Sequence, residues 1–337
     1  MNSRFFNELL RRRDGIFSSD LLITAIGYLD FFNWLSVEPT DLHGICKGLK
    51  LAERPADVML TFFSSLELVR KVRAEYRISK NARIFLTAGS KSDLSGYFSS
   101  LRERPICRDI MNVLKTDTPL HWAYSSKGDE WAKAMAKKDF ADSFTAAMDS
   151  RGAIFAPVLA EKMNCSDYSG LLDIAGASGI YSCALVNKNP HLRAAILEKI
   201  PVDSIAKKAI RKQGLSKKIS VISADMFSNE WPRGFDMHLL SHVLHDWDAK
   251  SVRFLLEKSF DSLEPKGILV IHDVHVNRQK TGPVEAAEYS ILLMLSTRGK
   301  CYSVSEMQQM LQDVGFTNIC FKSTMGFRSL ITARKPS

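Results

Sequence analysis

The sequence predicts an α/β fold, a doubly wound parallel sheet that closes with an antiparallel hairpin and is preceded by a mostly helical domain. Three observations carry this expectation. Residues 171–179 read Leu-Leu-Asp-Ile-Ala-Gly-Ala-Ser-Gly, an apolar run that passes through small residues into a second apolar stretch from Ile180, as a buried strand does when it turns tightly into a helix. From there the pattern alternates, with strands expected at 171–175, 194–198, 219–224, 235–244 and 267–274 and helices at 180–188, 201–213 and 249–261. The rhythm then breaks. Helices at 283–295 and 303–313 lead to the runs 318–324 and 328–335, joined by a short turn at Gly326 and suited to a hairpin on the sheet edge.

At 337 residues and 45% hydrophobic, the chain can bury a large core, and its length suggests two domains. The most apolar N-terminal stretch, 21–35, is interrupted by Asp30 and is too short to span a bilayer. No secretory signal is expected there, since the stretch is preceded by Asp14 and Asp20 and lacks a small-residue cleavage site. Six cysteines without a Cys-x-x-Cys pair suit reduced thiols, so a cytoplasmic location and no membrane partner are expected. The net charge of +9 raises the question of nucleic acid, but it is spread along the chain. Residues 1–150 hold 22 Lys+Arg against 19 Asp+Glu, and the remainder 24 against 18. Arg11, Arg12 and Arg13 read as a solvated helix face.

Helical patterns at 5–10, 21–35, 40–47 and 55–66, followed by an extended 76–78, form a winged-helix-like unit. Within 21–35, Leu21, Leu22, Ala25, Ile26, Leu29 and Phe32 recur at helical spacing while Ile23, Tyr28, Phe31 and Trp34 occupy another face. A helix apolar on two faces needs a second partner, either another copy of the chain or the C-terminal domain. A winged-helix regulator of transcription would need a basic recognition helix. Residues 55–66 contain no Lys or Arg, so no nucleic-acid partner is expected. Residues 92–165 read as helices broken at Pro105, Pro119 and Pro157, with loops at 96–102 and 125–131. Phe140, Phe144 and Met148 lie four apart on one helical face, as core or as the wall of an aromatic pocket. The expected division is 1–100, then a helical connector at 101–165 that contributes to the substrate pocket, then 166–337.

Small side chains around Gly176 and Gly179 let a ligand lie against the backbone, and the next helix offers its free N–H groups. Glu198 ends the second strand 19 residues past Gly179, where a carboxylate can accept from two ribose hydroxyls. The turn lacks the full Gly-x-Gly-x-x-Gly that favours a pyrophosphate, so it suits a nucleotide-like cofactor without phosphates. A nicotinamide dehydrogenase would share the turn and Glu198, and would leave the later motifs without a purpose.

Those motifs are Ile-Leu-Glu ending at Glu198, Ala-Asp-Met-Phe at 224–227 and Ser-His-Val-Leu-His-Asp-Trp-Asp at 241–248. With the glycine turn and the closing hairpin, they resemble the small-molecule O-methyltransferases that use S-adenosylmethionine, the plant caffeate and hydroxyindole type in its bacterial branch. The resemblance covers essentially the whole chain. It implies a Rossmann-like class I methyltransferase domain at 166–337, a winged-helix-like domain at 1–100 that forms a homodimer, and a small-molecule acceptor. It implies that Asp173 lies near the cofactor's amino group and Glu198 holds its ribose. Asp225 would accept from the adenine amino group, with Met226 against the ring. Ser241 stands where plant members carry a cofactor-contacting Lys. His245 is similar to the family's general base, since a phenol with a pKa of about 10 is mostly protonated near neutrality and imidazole can take its proton. Asp273 occupies the place of a Glu beside that base, and Cys301 falls where many members carry a second acid.

The cofactor implied is S-adenosyl-L-methionine, leaving as S-adenosyl-L-homocysteine. Phe144, Met148, Leu293, Met294 and Cys301 suggest an apolar pocket for a flat hydroxylated aromatic, although an amine acceptor fits the same pattern. Members of the family that keep the cofactor but carry out hydroxylation or decarboxylation leave a non-methylating reaction open. His242, His245, His272 and His275 raise the question of a metal. Residues three apart on a strand point to opposite faces, so neither pair chelates by itself and no metal is expected.

Overall fold

A computed structural model describes residues 3–120 and 130–337; the loop expected at 125–131 falls largely outside the described residues. The chain divides into two compact units that interleave along the sequence, one of residues 1–120 with 275–305 and the other of residues 121–274 with 306–337. A linear partition at residues 100 and 165 does not express that interleaving.

The first unit is helical, with helices Ser18–Gly27, Phe31–Val37, Leu42–Leu49, Glu53–Ser65, Pro105–Thr116 and Val284–Ser296 around one core. A small antiparallel hairpin, β1 (Val69–Val72) and β2 (Glu75–Ile78), forms the wing, and Thr40 bridges to Tyr76 beside it. Asp41 and Ser79 cap the helices that follow them by accepting the backbone N–H of Gly44 at 2.8 Å and of Ala82 at 3.0 Å. The single helix expected at 21–35 is two helices. Asp30 adopts a left-handed conformation with φ 48° and accepts a hydrogen bond from Asn33 Nδ2 at 2.6 Å, which restarts the helix at a new angle.

That break disposes of the second apolar face. Phe31 and Phe32 turn inward with Phe62 and Phe63, ring centroids 5.3–5.7 Å apart, and Trp34 packs against the same core. The partner they need is their own unit. Residues Pro55–Ser64 of the helix Glu53–Ser65 are all buried, so the helix in the recognition position presents nothing to a DNA groove. The apolar side chains left exposed in this unit lie elsewhere, among them Phe5, Leu9 and Ile16.

The second unit is a seven-stranded sheet with helices against it. Its strands are β3 (Gly170–Ile174), β4 (Arg193–Glu198), β5 (Ile219–Ser223), β6 (Phe235–Ser241), β7 (Leu263–Asp273), β8 (Thr317–Ser323) and β9 (Ser329–Arg334), in the order β5-β4-β3-β6-β7-β9-β8. The first five run parallel; β9 and β8 return antiparallel as the expected hairpin. Strand order reverses between β3 and β6, the place where doubly wound sheets open a crevice at their carboxyl ends. The helix Lys138–Lys162 runs through Pro157 without stopping, and Pro105 begins a helix. Proline at a first helical turn gives up only an N–H that has no partner there, so Pro105 marks a start where a break was expected.

Candidate active site

The residues singled out in the sheet fall at the carboxyl ends of neighbouring strands. Register places Asp173 beside Ile196 and Leu239, Glu198 beside Ser223, and Ser241 beside His272. The turn after β3 is held in a conformation that side chains resist: Ala175, Ala177 and Gly179 all have positive φ, at 52°, 50° and 79°. A Cβ on Gly179 would come within 2.2 Å of Ile196, and one on Gly176 within 2.6–2.9 Å of the Asp173 carboxyl. A side chain at either position would force its neighbour to shift, and at Gly179 the backbone conformation itself favours glycine.

Glu198 locks this turn to β4. One carboxylate oxygen accepts the N–H of Ala177 at 3.0 Å and the other that of Lys199 at 2.9 Å. Burial raises its pKa, and the two backbone donors oppose that shift. Asp173 is more deeply placed, at 1% exposure. Ser182 Oγ donates to its Oδ2 at 2.6 Å, while Oδ1 has no hydrogen-bond partner. Burial, with Ser182 opposing and Glu198 adding to it, pushes the Asp173 carboxyl up to about 7. Ser178 in the turn donates to Asp149 of the helix Lys138–Lys162, a contact that no sequence signal announced. Past β5, Asp225 Oδ1 accepts the N–H of Phe227 at 2.7 Å, and the neighbouring Met226 accepts from Trp231 Nε1 at 2.9 Å through its carbonyl. Both side chains are half-buried.

The other side of the reversal departs from the expected strand. β6 stops at Ser241 instead of continuing to 244, because His242 takes a left-handed φ of 56° and Leu244–Asp246 coil into one 3-10 turn. The premise that His242 and His245 face opposite ways fails with it. Their rings lie 5.7 Å apart, and donor atoms of His242, His245 and Asp273 all fall within 4.8 Å of one another. His245 Nδ1 is hydrogen-bonded to Asp273 Oδ1, which also accepts the N–H of Val274 at 2.7 Å. Asp246, adjacent in sequence and not singled out, brings an oxygen to 3.6 Å from His245 Nε2. Burial works to lower the His245 pKa, but Asp273 and Asp246, with the hydrogen bond from Asp273, outweigh it and raise the value above the usual one. Ser241 Oγ lies 3.0 Å from His272 Nδ1, so it is engaged with β7. His275 belongs to the other unit.

The pocket residues are divided. Phe140 and Phe144 stack with centroids 6.3 Å apart and pack with Ala177 of the turn and Val202, while Met148 is half-buried on the same helix. In the first unit, Met294 is part of the core, Leu293 is buried, and Cys301 is buried with its N–H on Ser290 Oγ at 3.0 Å.

A family model described as an O-methyltransferase domain matches residues 108–317. The 3-hydroxy-5-methyl-1-naphthoate 3-O-methyltransferase of Streptomyces sahachiroi is 26% identical over 307 residues, 90% of this chain and 88% of its own. The L-tyrosine C(3)-methyltransferase of Streptomyces lavendulae is 33% identical over a shorter stretch, 49% of this chain and 45% of its own. Among solved structures, an O-methyltransferase family 2 protein from Planctomyces limnophilus in complex with apigenin matches with a TM-score of 0.87 and 28% identity, over 98% of this chain and 95% of that one. The family match spans more than half of the chain and the carboxyl ends of all five parallel strands, so the chain belongs to the O-methyltransferase family and is an S-adenosylmethionine-dependent O-methyltransferase.

Proposed function

We propose that the protein methylates a hydroxyl of a small aromatic metabolite, with His245 as the general base. The observation that carries this reading is the buried His245–Asp273 couple at the carboxyl end of the sheet. S-adenosylmethionine, when bound, supplies a methyl group on a positively charged sulfur that is open to in-line displacement. Glu198 grips the ribose hydroxyls, and Asp225 and Met226 hold the adenine. Gly176 and Gly179 let the backbone approach, and Ser241 joins the set at the end of β6. Asp173 suits a cationic ligand, because a buried carboxyl with an unpartnered oxygen gains most from a nearby positive charge.

On the base side, the bond to Asp273 makes Nδ1 the protonated nitrogen and leaves Nε2 to take the acceptor's proton. Asp246 then steadies the imidazolium from 3.6 Å. Acceptor-facing roles are proposed for Phe144 and Met148. A metal is not part of this mechanism: His245 and Asp273 already satisfy each other, and the charges of Arg151 and Arg328, felt at His242, oppose a divalent cation there.

A homodimer through the first unit is also proposed, on a changed basis. The faces around Tyr28, Phe31 and Trp34 no longer support it, whereas Phe5 and Leu9, one turn apart and well exposed on the helix Ser3–Asp14, do. Residence in a reducing cytoplasm fits cysteines among which no disulfide forms in the described residues. No helix of the described residues is long and apolar enough to cross a membrane.

The test is S-adenosylhomocysteine release with a panel of hydroxylated naphthoates and flavones. Release that depends on the acceptor, with the methyl found on oxygen, supports the reading. Thermal stabilisation by a nicotinamide cofactor but not by S-adenosylhomocysteine would sink it.

A further inference from the structure

The left-handed turn at His242 builds an arrangement that base catalysis by His245 alone does not require. His242 Nδ1 lies 3.6 Å from Asp273 Oδ1, the same oxygen that His245 engages. Its side chain is 4% exposed, and neither ring nitrogen has a hydrogen-bond partner. Two unpaired polar atoms in a buried ring cost stability, as does a positive φ on a residue that is not glycine, and such costs concentrate where a site needs the geometry. The ring is wedged in place by Tyr181 at 6.2 Å and by His272, edge-on at 5.1 Å.

We propose that His242 is a positioning residue, a neutral imidazole whose Nδ1–H closes onto Asp273 as charge builds on His245, so that one carboxylate is shared by two histidines. The inference rests on the reading of His245 as the base.

The groups around the pair support neutrality at His242. Burial, then Arg151 of the helix Lys138–Lys162, His272 of β7, Arg328 of the β8–β9 turn and His245 all hold its pKa well below the usual imidazole value. Tyr181 of the helix Ile180–Lys188 completes the surroundings, its own pKa raised by burial. A ring that stays uncharged can donate without competing for the proton that His245 receives. When His245 takes the acceptor proton on Nε2, its Nδ1–H donates more strongly to Asp273. A further donor on that oxygen, beside His245 and the Val274 N–H, holds the carboxylate in line with the Nδ1–H of His245 and keeps it from drawing that proton away, so its loss costs rate through misalignment even though His245 becomes the stronger base. Catalytic hydrogen bonds often tighten as charge develops on the reacting groups, and an approach of 3.6 Å leaves His242 within reach of such closure.

The proposal makes the donor at the Nδ1 position the property that matters. Asn tolerates a left-handed backbone and carries its amide N–H close to where Nδ1 sits; Gln carries it one bond further out, and Phe keeps the ring and removes the donor. In His242→Phe, kcat should fall on the order of tenfold while the acceptor KM and cofactor affinity stay within about twofold. The acid limb of kcat/KM should move to higher pH, because Asp273 relieved of one donor raises the pKa of His245. His242→Asn should restore most of kcat and return the limb to its wild-type position, and His242→Gln should not. Should His242→Phe fail to fold, the Asn and Gln pair decides the question.

An unchanged pH profile in the Phe variant, or equal losses in Asn and Gln, would overturn the proposal. With assays run in a chelator, loss of wild-type activity would overturn it as well, since a cation would then be joining the three side chains. Failure of the underlying reading looks different: His245→Ala would keep wild-type turnover, whereas failure of this inference alone leaves His245→Ala inactive and His242→Phe unaffected.

Discussion

The two sides of the strand reversal are built by opposite means. On the β3, β4 and β5 side, acids sit where regular strands end, and their carboxylates satisfy backbone N–H groups: Glu198 pins the glycine turn and Asp225 caps the loop after β5. On the β6 and β7 side, the strand is interrupted, and the interruption brings two imidazoles to one aspartate. Regular strand ends yield fixed acceptors that can bind; the broken one yields a ring held between carboxylates that can exchange a proton. We therefore expect affinity and turnover to separate along this line.

The largest effect should come from the broken side. His245→Ala is expected to lower kcat by about 10²–10⁴ with cofactor affinity near wild type, the usual contribution of a positioned base. Stopped turnover assays and calorimetry on one preparation check both halves of that statement. Asp273→Asn should cost less, on the order of tenfold to a hundredfold, and move the acid limb of kcat/KM to lower pH. The sign follows from Asp273 acting to raise the His245 pKa: without that charge the imidazole deprotonates at lower pH but is a weaker base.

The regular side should answer in affinity. Glu198→Ala is expected to weaken S-adenosylhomocysteine binding at least about tenfold, since hydrogen bonds to a charged acceptor contribute about 1.5–3 kcal/mol. Unchanged affinity in a folded variant would remove Glu198 from the cofactor side. Asp173 gives the comparison a pH axis. Its folded pKa of about 7 lies above the unfolded value, so the protonated form favours folding and that advantage is lost as pH rises through about 7. Asp173→Asn should therefore raise Tm more at about pH 8 than at about pH 5 while weakening cofactor binding. Equal Tm changes at the two pH values would mean that the carboxyl is not protonated in the folded protein. The smallest effect is expected at Cys301→Ala, within about twofold in kcat, because a neutral thiol lends the base no charge.

The same contrast explains what could be read from the sequence. The parallel strands, the hairpin and the acids at the ends of β3 and β4 follow from apolar runs that stop on schedule, so periodicity finds them. The left-handed residues Asp30 and His242 are invisible to periodicity, because each occupies a position where a helix or strand pattern continues. Missing Asp30 assigned Phe31 and Trp34 to a second partner, another copy of the chain or the C-terminal domain; missing His242 put two neighbouring histidines on opposite faces. Contacts set by tertiary packing, such as Asp149 on Ser178, leave no local trace. The motif that marks His245 carried Asp246 with it, and only the 3-10 turn shows the carboxylate returning to the ring.

The central claim is that His245 removes a proton and does nothing else the reaction needs. Release of S-adenosylhomocysteine by His245→Ala, followed from about pH 7 to about pH 10 with a phenolic acceptor and saturating cofactor, tests it most directly. As solvent ionises the phenol, the variant's rate should climb by more than tenfold toward that of the wild type. A rate that stays flat and low across this range, or one equal to wild type at about pH 7, would contradict the account.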